Sequence, residues 1–205
     1  TIALFSILFI SFFLLKDSHL LERSLLIFFP NDTHARLKGA FSEIKNLLSR
    51  YFIGLFFQIS ILFVIYTTIL VIFGIKNAMI IALLCSLLNL IPYVGPIIGG
   101  MLMFVLTMTA NIEADFRTVI LPKSMYVMIG FIFGQLVDNF FSQPYIFSKS
   151  VKSHPLEIFV IVISAGILFG TLGLIAAIPL YTAAKVIFKA FYANNRIVKS
   201  LTKDL

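Results

Sequence analysis

The chain has 205 residues, of which 60% are hydrophobic and only 12% charged, with a mean hydropathy of +1.04 and a net charge of +7. A water-soluble domain carries roughly 25% charged residues, so this composition excludes one: there are too few polar side chains to cover a surface facing water. The positive charge does not indicate nucleic acid, because the basic residues sit in loops between apolar runs, the distribution that membrane topology favours.

Within lipid every backbone polar group must pair internally, which leaves helices or a closed barrel. A barrel needs alternating apolar and polar positions. The run IGLFFQISILFVIYTTILVIF over residues 53–73 is continuously apolar, so the expected class is all-α: a polytopic integral membrane helical bundle. The chain starts at Thr1 inside an apolar run, without Met or a basic leader, and is read as lacking a signal peptide and as the C-terminal part of a longer protein.

In chain order, residues 1–15 are apolar but reach only about 22 Å as a helix, short of the roughly 30 Å hydrocarbon core, and read as the end of a truncated span. Residues 16–50 form an amphipathic cytoplasmic segment. From His34 onward Leu37, Phe41, Ile44, Leu48 and Tyr51 recur at steps of three and four, the pattern of a helix on the membrane surface or against a partner helix. Residues 51–73 are long enough to span. Residues 78–110 are apolar but interrupted at Asn89-Leu-Ile-Pro-Tyr-Val-Gly-Pro96. Their arms of about 14 residues reach about 21 Å, which predicts a hairpin that enters and leaves on one side. Residues 124–147 span again. Residues 155–184 repeat the broken pattern, interrupted by Gly166, Gly170 and Gly173 and later by Pro179, and a basic tail follows over 185–205.

On this topology residues 16–50, 148–154 and 185–205 share one side and hold thirteen of the sixteen Lys and Arg. The positive-inside bias makes that side, with the C-terminus, cytoplasmic.

The paired breaks carry the functional reading. Unwound backbone at membrane depth must be buried in protein or line a cavity, and secondary transporters bind substrate where half-helix ends meet. Packing kinks are the alternative. Asp138 lies inside an apolar span, where an ionised carboxylate is costly. It should face a cavity, hold a proton, bind a cation, or reach Lys149 or Lys152 near the cytoplasmic end. Gln135 and Asn139 sit on the same helix face. Gln58, Thr67 and Thr68 suit interhelical hydrogen bonds or a pore lining. Gly-x-x-x-Gly spacings at Gly95–Gly99, Gly130–Gly134 and Gly166–Gly170 allow close helix approach or oligomerisation. Cys85 reads as a small buried hydrophobe. His19, His34 and His154 have no ligand spacing, so no metal site is expected, and no nucleophile–base set, phosphate loop or cofactor motif points to an enzyme.

The stretch Asn89-Leu-Ile-Pro-Tyr-Val-Gly-Pro-Ile-Ile-Gly-Gly100 resembles the signature of the AI-2E family of transporters, the autoinducer-2 exporter-like or PerM-like permeases. A second block agrees: Gln135-Leu-Val-Asp-Asn139, Gln143-Pro, His154-Pro-Leu, and Leu168-Phe-Gly-Thr-Leu-Gly-Leu-Ile-Ala-Ala-Ile-Pro179. Arg50-Tyr-Phe-Ile-Gly-Leu-Phe-Phe-Gln58 is similar to a third family segment but separates Gly54 from Gln58. The resemblance implies a homo-oligomeric prokaryotic inner-membrane protein exporting a small polar solute, or exchanging sodium for protons. On the transporter reading that the paired breaks and the intramembrane acid suggest, Asn89, Pro92, Tyr93, Gly95 and Pro96 would form one break at the substrate path, with Gln135 and Asn139 beside it. Gly166, Gly170, Gly173 and Pro179 would form the other break, and Asp138 would bind the coupling proton or sodium ion. A non-transporting membrane scaffold is the competing reading.

Overall fold

The computed structural model describes residues 33–110, 112–146 and 153–192, with residues 26, 27, 30, 198 and 202 besides. The expected span at 1–15, most of 16–32, the basic loop with Lys149 and Lys152, and most of the tail beyond 192 lie outside the described residues. Every regular element among the described residues is helical: α1 His34–Ile72, α2 Ala78–Leu88, α3 Val94–Thr109, α4 Leu121–Val137, α5 Gln143–Ile146 and α6 Pro155–Tyr192. π-Helical turns at Phe116–Ile120 and Asp138–Ser142 lead into and out of α4. The protein is an all-α helical membrane protein, as its composition predicts.

Among the described residues three stretches are, by length and composition, apolar enough to cross a membrane: His34–Ile72, Phe116–Ser142 and Leu156–Tyr192. Ala78–Leu88 and Val94–Thr109 are shorter apolar helices. The chain divides into two compact units. One holds residues 47–182, and the other joins the beginning and end of the chain, residues 1–46 and 183–205.

In the larger unit α1 and α4 run antiparallel. Phe73 stacks on Tyr126 with ring centroids 5.7 Å apart, and Tyr66 stacks on Phe131 at 5.2 Å. Gly130 and Gly134 make this approach possible. A Cβ on Gly130 would lie 2.7 Å from Ile69, and one on Gly134 would lie 2.7 Å from Tyr66. This Gly-x-x-x-Gly pair is therefore used inside the chain, as small residues are in membrane packing. Leu62, Tyr66, Leu70, Ile81, Cys85, Met103, Val127 and Phe131 form one buried core. Cys85 is a small buried group here, its thiol donating to the Gly99 carbonyl at 3.5 Å.

The α2–α3 pair is a helical hairpin. Eleven and sixteen residues reach about 16 and 24 Å, less than a bilayer core. Because α1 ends where α4 begins its antiparallel course, the hairpin starts and finishes on one side. Before α4, Asp115 caps the first π-helical turn by accepting from the backbone N–H and hydroxyl of Thr118, both at 2.8 Å. Those bonds hold its carboxyl below the usual carboxylate range.

The stretch α6 is continuous by helix assignment, yet Gly170 has φ 64° and ψ −146°, a conformation almost confined to glycine. The chain folds back there. Gly173 packs so closely on the Ala165 carbonyl that a Cβ would collide with it, and Leu174 lies over Gly166. Ile158 and Val162 of the first arm share a buried cluster with Ala177 and Ile178 of the second. The apparent 37-residue span is thus two arms. The first, residues 155–169, reaches only about 22 Å. The return arm runs on to Tyr192 and carries Lys185 and Lys189, the first basic residues of the expected tail.

The smaller unit contains the first turns of α1 and the last turns of α6. Leu37 and Ala40 are buried, Phe41 and Ile44 half-buried, and Arg36, Lys38 and Lys45 exposed. The buried positions of this stretch are Leu37 and Ala40, with Phe41 partly covered beside them. The Lys189 ammonium lies 3.8 Å from Glu43, an exposed pair contributing about 0–1 kcal/mol. This ion pair fits packing against a partner helix. The expected separate surface helix is instead the start of the 39-residue helix that supplies the span, with no break between them.

Candidate functional site

The site begins where α2 stops. Pro92 has no N–H to continue a helix, and the next residue, Tyr93, takes φ 65° and ψ −48°. The Val94 N–H donates to the Pro92 carbonyl at 2.7 Å, closing a γ-turn of the rare strained kind. A non-glycine residue held there stores about 1–3 kcal/mol, and it persists because its surroundings hold it. The Tyr93 ring meets Phe159 of the second hairpin edge-on, with centroids 5.0 Å apart. Gly95 follows, donating to the Ile91 carbonyl at 2.8 Å and packing against the Leu88 backbone with no room for a Cβ. One consequence is testable. Both Tyr93→Gly and Tyr93→Ala lose the ring, but only glycine accepts the positive φ without strain. Thermal unfolding in detergent is expected to find the glycine variant more stable by about 1 kcal/mol; the reverse order would mean that the γ-turn does not exist in the folded protein.

Two polar networks converge on this break. In the first, Asn89 donates to the Cys85 carbonyl at 2.9 Å, while its side-chain oxygen accepts from Gln135 Nε2 at 2.9 Å. The same Gln135 nitrogen donates to the Tyr66 hydroxyl at 2.7 Å. In the second, Asp138 Oδ2 accepts from Gln58 Nε2 at 2.9 Å and from Gln143 Nε2 at 3.0 Å. Gln143 also donates to Asn139 Oδ1 at 2.9 Å. The π-helical turn Asp138–Ser142 widens the coil by one residue, which stacks Gln143 over both Asp138 and Asn139.

Asp138 is completely buried. Its partners among the described residues are Gln58, Gln143 and Ser142, all neutral. Asp138 Oδ1 and Gln135 Oε1 are buried and accept no hydrogen bond. Gln58 lies seven residues beyond Tyr51 on α1, about 10 Å along the helix, so the carboxyl group meets α1 inside its apolar stretch. Among the described residues no His, Cys, Asp and Glu gather into a metal-binding group.

Beside Asp138 lies a small cavity of about 10 Å³, lined by Tyr51, Leu55, Gln58, Asn89, Pro92, Pro96, Gln143 and Ile146. That volume is close to the least that admits one water molecule.

The structure therefore brings together Asn89, Pro92, Pro96, Gln135, Asp138 and Asn139, with Tyr93 and Gly95 shaping the turn. It does not bring the second break to them. Gly170 is exposed at the tip of its hairpin, among exposed Ile167, Leu168, Phe169 and Leu172. Gly166 and Gly173 serve the contact between the two arms, and half-buried Pro179 lies in the return arm and does not line the cavity. Gln135 and Asp138, expected in one patch, bond to different partners. Tyr51, Tyr66 and Gln143 were not among the predicted site residues. An isolated Gln or Tyr in an apolar span is the only sequence signal for such partners. Of the weaker candidates, Gln58 is a direct partner of Asp138, Thr68 bonds back to Val64 of its own helix at 2.8 Å, and the Thr67 hydroxyl is buried without a partner.

Three Bacillus subtilis (strain 168) proteins are similar to the chain. Putative transport protein YueF is 27% identical over 203 residues, 97% of this chain and 51% of YueF. Its namesakes YrrI and YtvI are 27% identical over 183 residues and 28% over 196, covering 89% and 96% of the chain and 49% of each relative. The chain spans about half the length of these relatives. No solved structure matches it. The family model described as AI-2E family transporter matches residues 1–193, nearly the whole length on which the broken hairpins and the Asp138 network are built, and the chain belongs to that family.

Proposed function

We propose that the protein is an ion-coupled secondary transporter of the prokaryotic cytoplasmic membrane, in which Asp138 holds the coupling proton or sodium ion and the break at Asn89–Pro96 forms part of the substrate path. The observation that carries this reading is a fully buried carboxyl group whose hydrogen-bond partners are all neutral, set beside a helical hairpin broken within the apolar thickness. A charge buried without a counter-charge costs several kcal/mol, and a bound proton or cation removes that cost. Family membership and the transport names of the relatives support the general class.

The cavity favours the ion-coupled form of the reading. Its volume suits an ion or a water and not an autoinducer-2-like solute, whose passage requires the break to open. The Tyr93 contact with Phe159 is where the second hairpin would act on that opening. In this reading the thirteen basic residues of the shared side face the cytoplasm, and copies of the chain assemble as a homo-oligomer.

The test is reconstitution of the full-length protein in liposomes under an imposed proton or sodium gradient. A trapped pH dye and labelled sodium report ion movement, and labelled autoinducer-2 is offered as solute. Protein-dependent, gradient-driven movement of sodium, protons or the solute is expected. If nothing moves under either gradient, the scaffold reading replaces this one.

A further inference from the structure

The Asp138 site also bears on which ion it holds. The orientation of each amide in the first network follows from its neighbours. The Cys85 carbonyl can only accept, so Asn89 must point its nitrogen there. Its oxygen then faces Gln135, which must answer with its nitrogen. That leaves Gln135 Oε1 buried with no donor. In the second network Gln143 Nε2 serves two acceptors, Asp138 Oδ2 and Asn139 Oδ1, which fixes it as a donor. Asp138 Oδ2 thereby takes two N–H groups, the Ser142 hydroxyl lies against the same carboxyl group, and Oδ1 accepts no hydrogen bond.

The two orphaned acceptors are three residues apart on one helix face. Both side chains look toward α1, Gln135 to Tyr66 and Asp138 to Gln58. Two buried acceptors one turn apart lack a single hydrogen. A sodium ion would need a shell of oxygen ligands, as hard cations do. The free oxygens there are Asp138 Oδ1, Gln135 Oε1 and the Ser142 hydroxyl, fewer than such a shell needs, and the Gln58 and Gln143 groups turned to the carboxyl are N–H donors, whose positive ends repel a cation. The adjoining cavity has room for no more than about one water.

We propose that Asp138 holds a proton on Oδ1 and donates it to Gln135 Oε1, joining the two networks into one chain from Tyr66 to Asn139, and that the coupling ion is therefore a proton. Loading breaks an O–H bond of a hydronium ion in the cavity and forms one on Oδ1, leaving water, and release returns the proton to that water, both through rearrangement of the Gln58 and Gln143 amides. The titratable groups around the pair are Tyr51 and Tyr66 of α1 and Cys85 of α2. Neither Gln135 nor Asp138 makes a hydrogen bond or ion pair with a Lys, Arg, His or Glu among the described residues. The coupling role rests on the transport reading above; the protonated pair does not.

Infrared spectroscopy of the full-length protein in lipid tests it, through the carbonyl stretch of a protonated carboxylic acid. At neutral pH the wild type is expected to show such a band that Asp138→Asn lacks. Gln135→Met, which leaves Asp138 in place, is expected to shift the band, so the test survives if one variant does not fold. Replacing potassium by sodium at fixed pH is expected to leave it unchanged. Absence of the band at neutral pH, its survival in Asp138→Asn, or its loss on adding sodium would overturn the proposal. A band that behaves as expected in a protein that moves nothing in liposomes keeps the protonated pair and removes only the transport reading.

Discussion

Asp138→Asn is expected to fold with near-native stability and to lose gradient-coupled flux entirely. The amide has the shape of the carboxyl group. Its oxygen still accepts from Gln58 and Gln143, and its N–H₂ still offers a donor to Gln135. What it lacks is the ability to gain and lose a proton. Asp138→Leu makes the contrast. It leaves the Gln58 and Gln143 donors facing an apolar side chain, and an orphaned buried donor costs about 1–3 kcal/mol. The leucine variant should therefore lose both stability and flux. The measurement is flux in proteoliposomes under an imposed ion gradient, beside thermal unfolding of each variant. Gradient-coupled flux retained by Asp138→Asn would remove Asp138 from the coupling mechanism, whatever else the protein transports.

Gly95→Ala is expected to be the most damaging single methyl addition in the first hairpin. The new Cβ would meet the Leu88 carbonyl oxygen and, at 2.7 Å, its carbon. These are backbone atoms held by α2, so neither can rotate away, and the turn between α2 and α3 has to open. Overpacking of a well-packed core costs about 1–3 kcal/mol, and a clash with backbone belongs at the top of that range. Two glycines calibrate the effect. At Gly166 the nearest obstacle is the flexible end of Leu174, 2.5 Å away, and at Gly39 nothing lies within 4 Å. Alanine at Gly39 should be neutral or stabilise the helix by up to about 1 kcal/mol. Thermal unfolding in detergent ranks the three. A Gly95→Ala protein as stable as Gly39→Ala would show that α2 and α3 do not approach as described.

Gly95 illustrates what pattern reading conveys and where it stops. Its place in a Gly/Pro interruption marks a break, and the break is there between Leu88 and Val94. Which backbone it meets does not follow from spacing. Its role in the structure is to let two backbones touch, while Asn89, Pro92 and Pro96 line the cavity. Gly170 is similar. Its turn was legible from glycine content, but that turn sits at an exposed apolar tip and the cavity lies elsewhere. Asp138 was conspicuous as the single acid in an apolar span. Its partners were not, because Gln58 is 80 residues away in sequence and reaches it only through the antiparallel packing of α1 on α4. The π-helical turn that aligns Gln143 with Asp138 departs from the 3.6-residue period on which face assignments depend.

By itself the amino-acid sequence determined that this protein lives in lipid, that it is helical, and where its helices are interrupted. Those properties follow from local composition: apolar length, scarcity of charge, and Gly and Pro positions act on the chain wherever it folds. Only the tertiary structure decided which interruption meets the buried acid, which amides hold it, and how little space lies beside it. Those depend on which helices pack together, and glycines such as Gly130 and Gly134 set that contact by the side chains they lack.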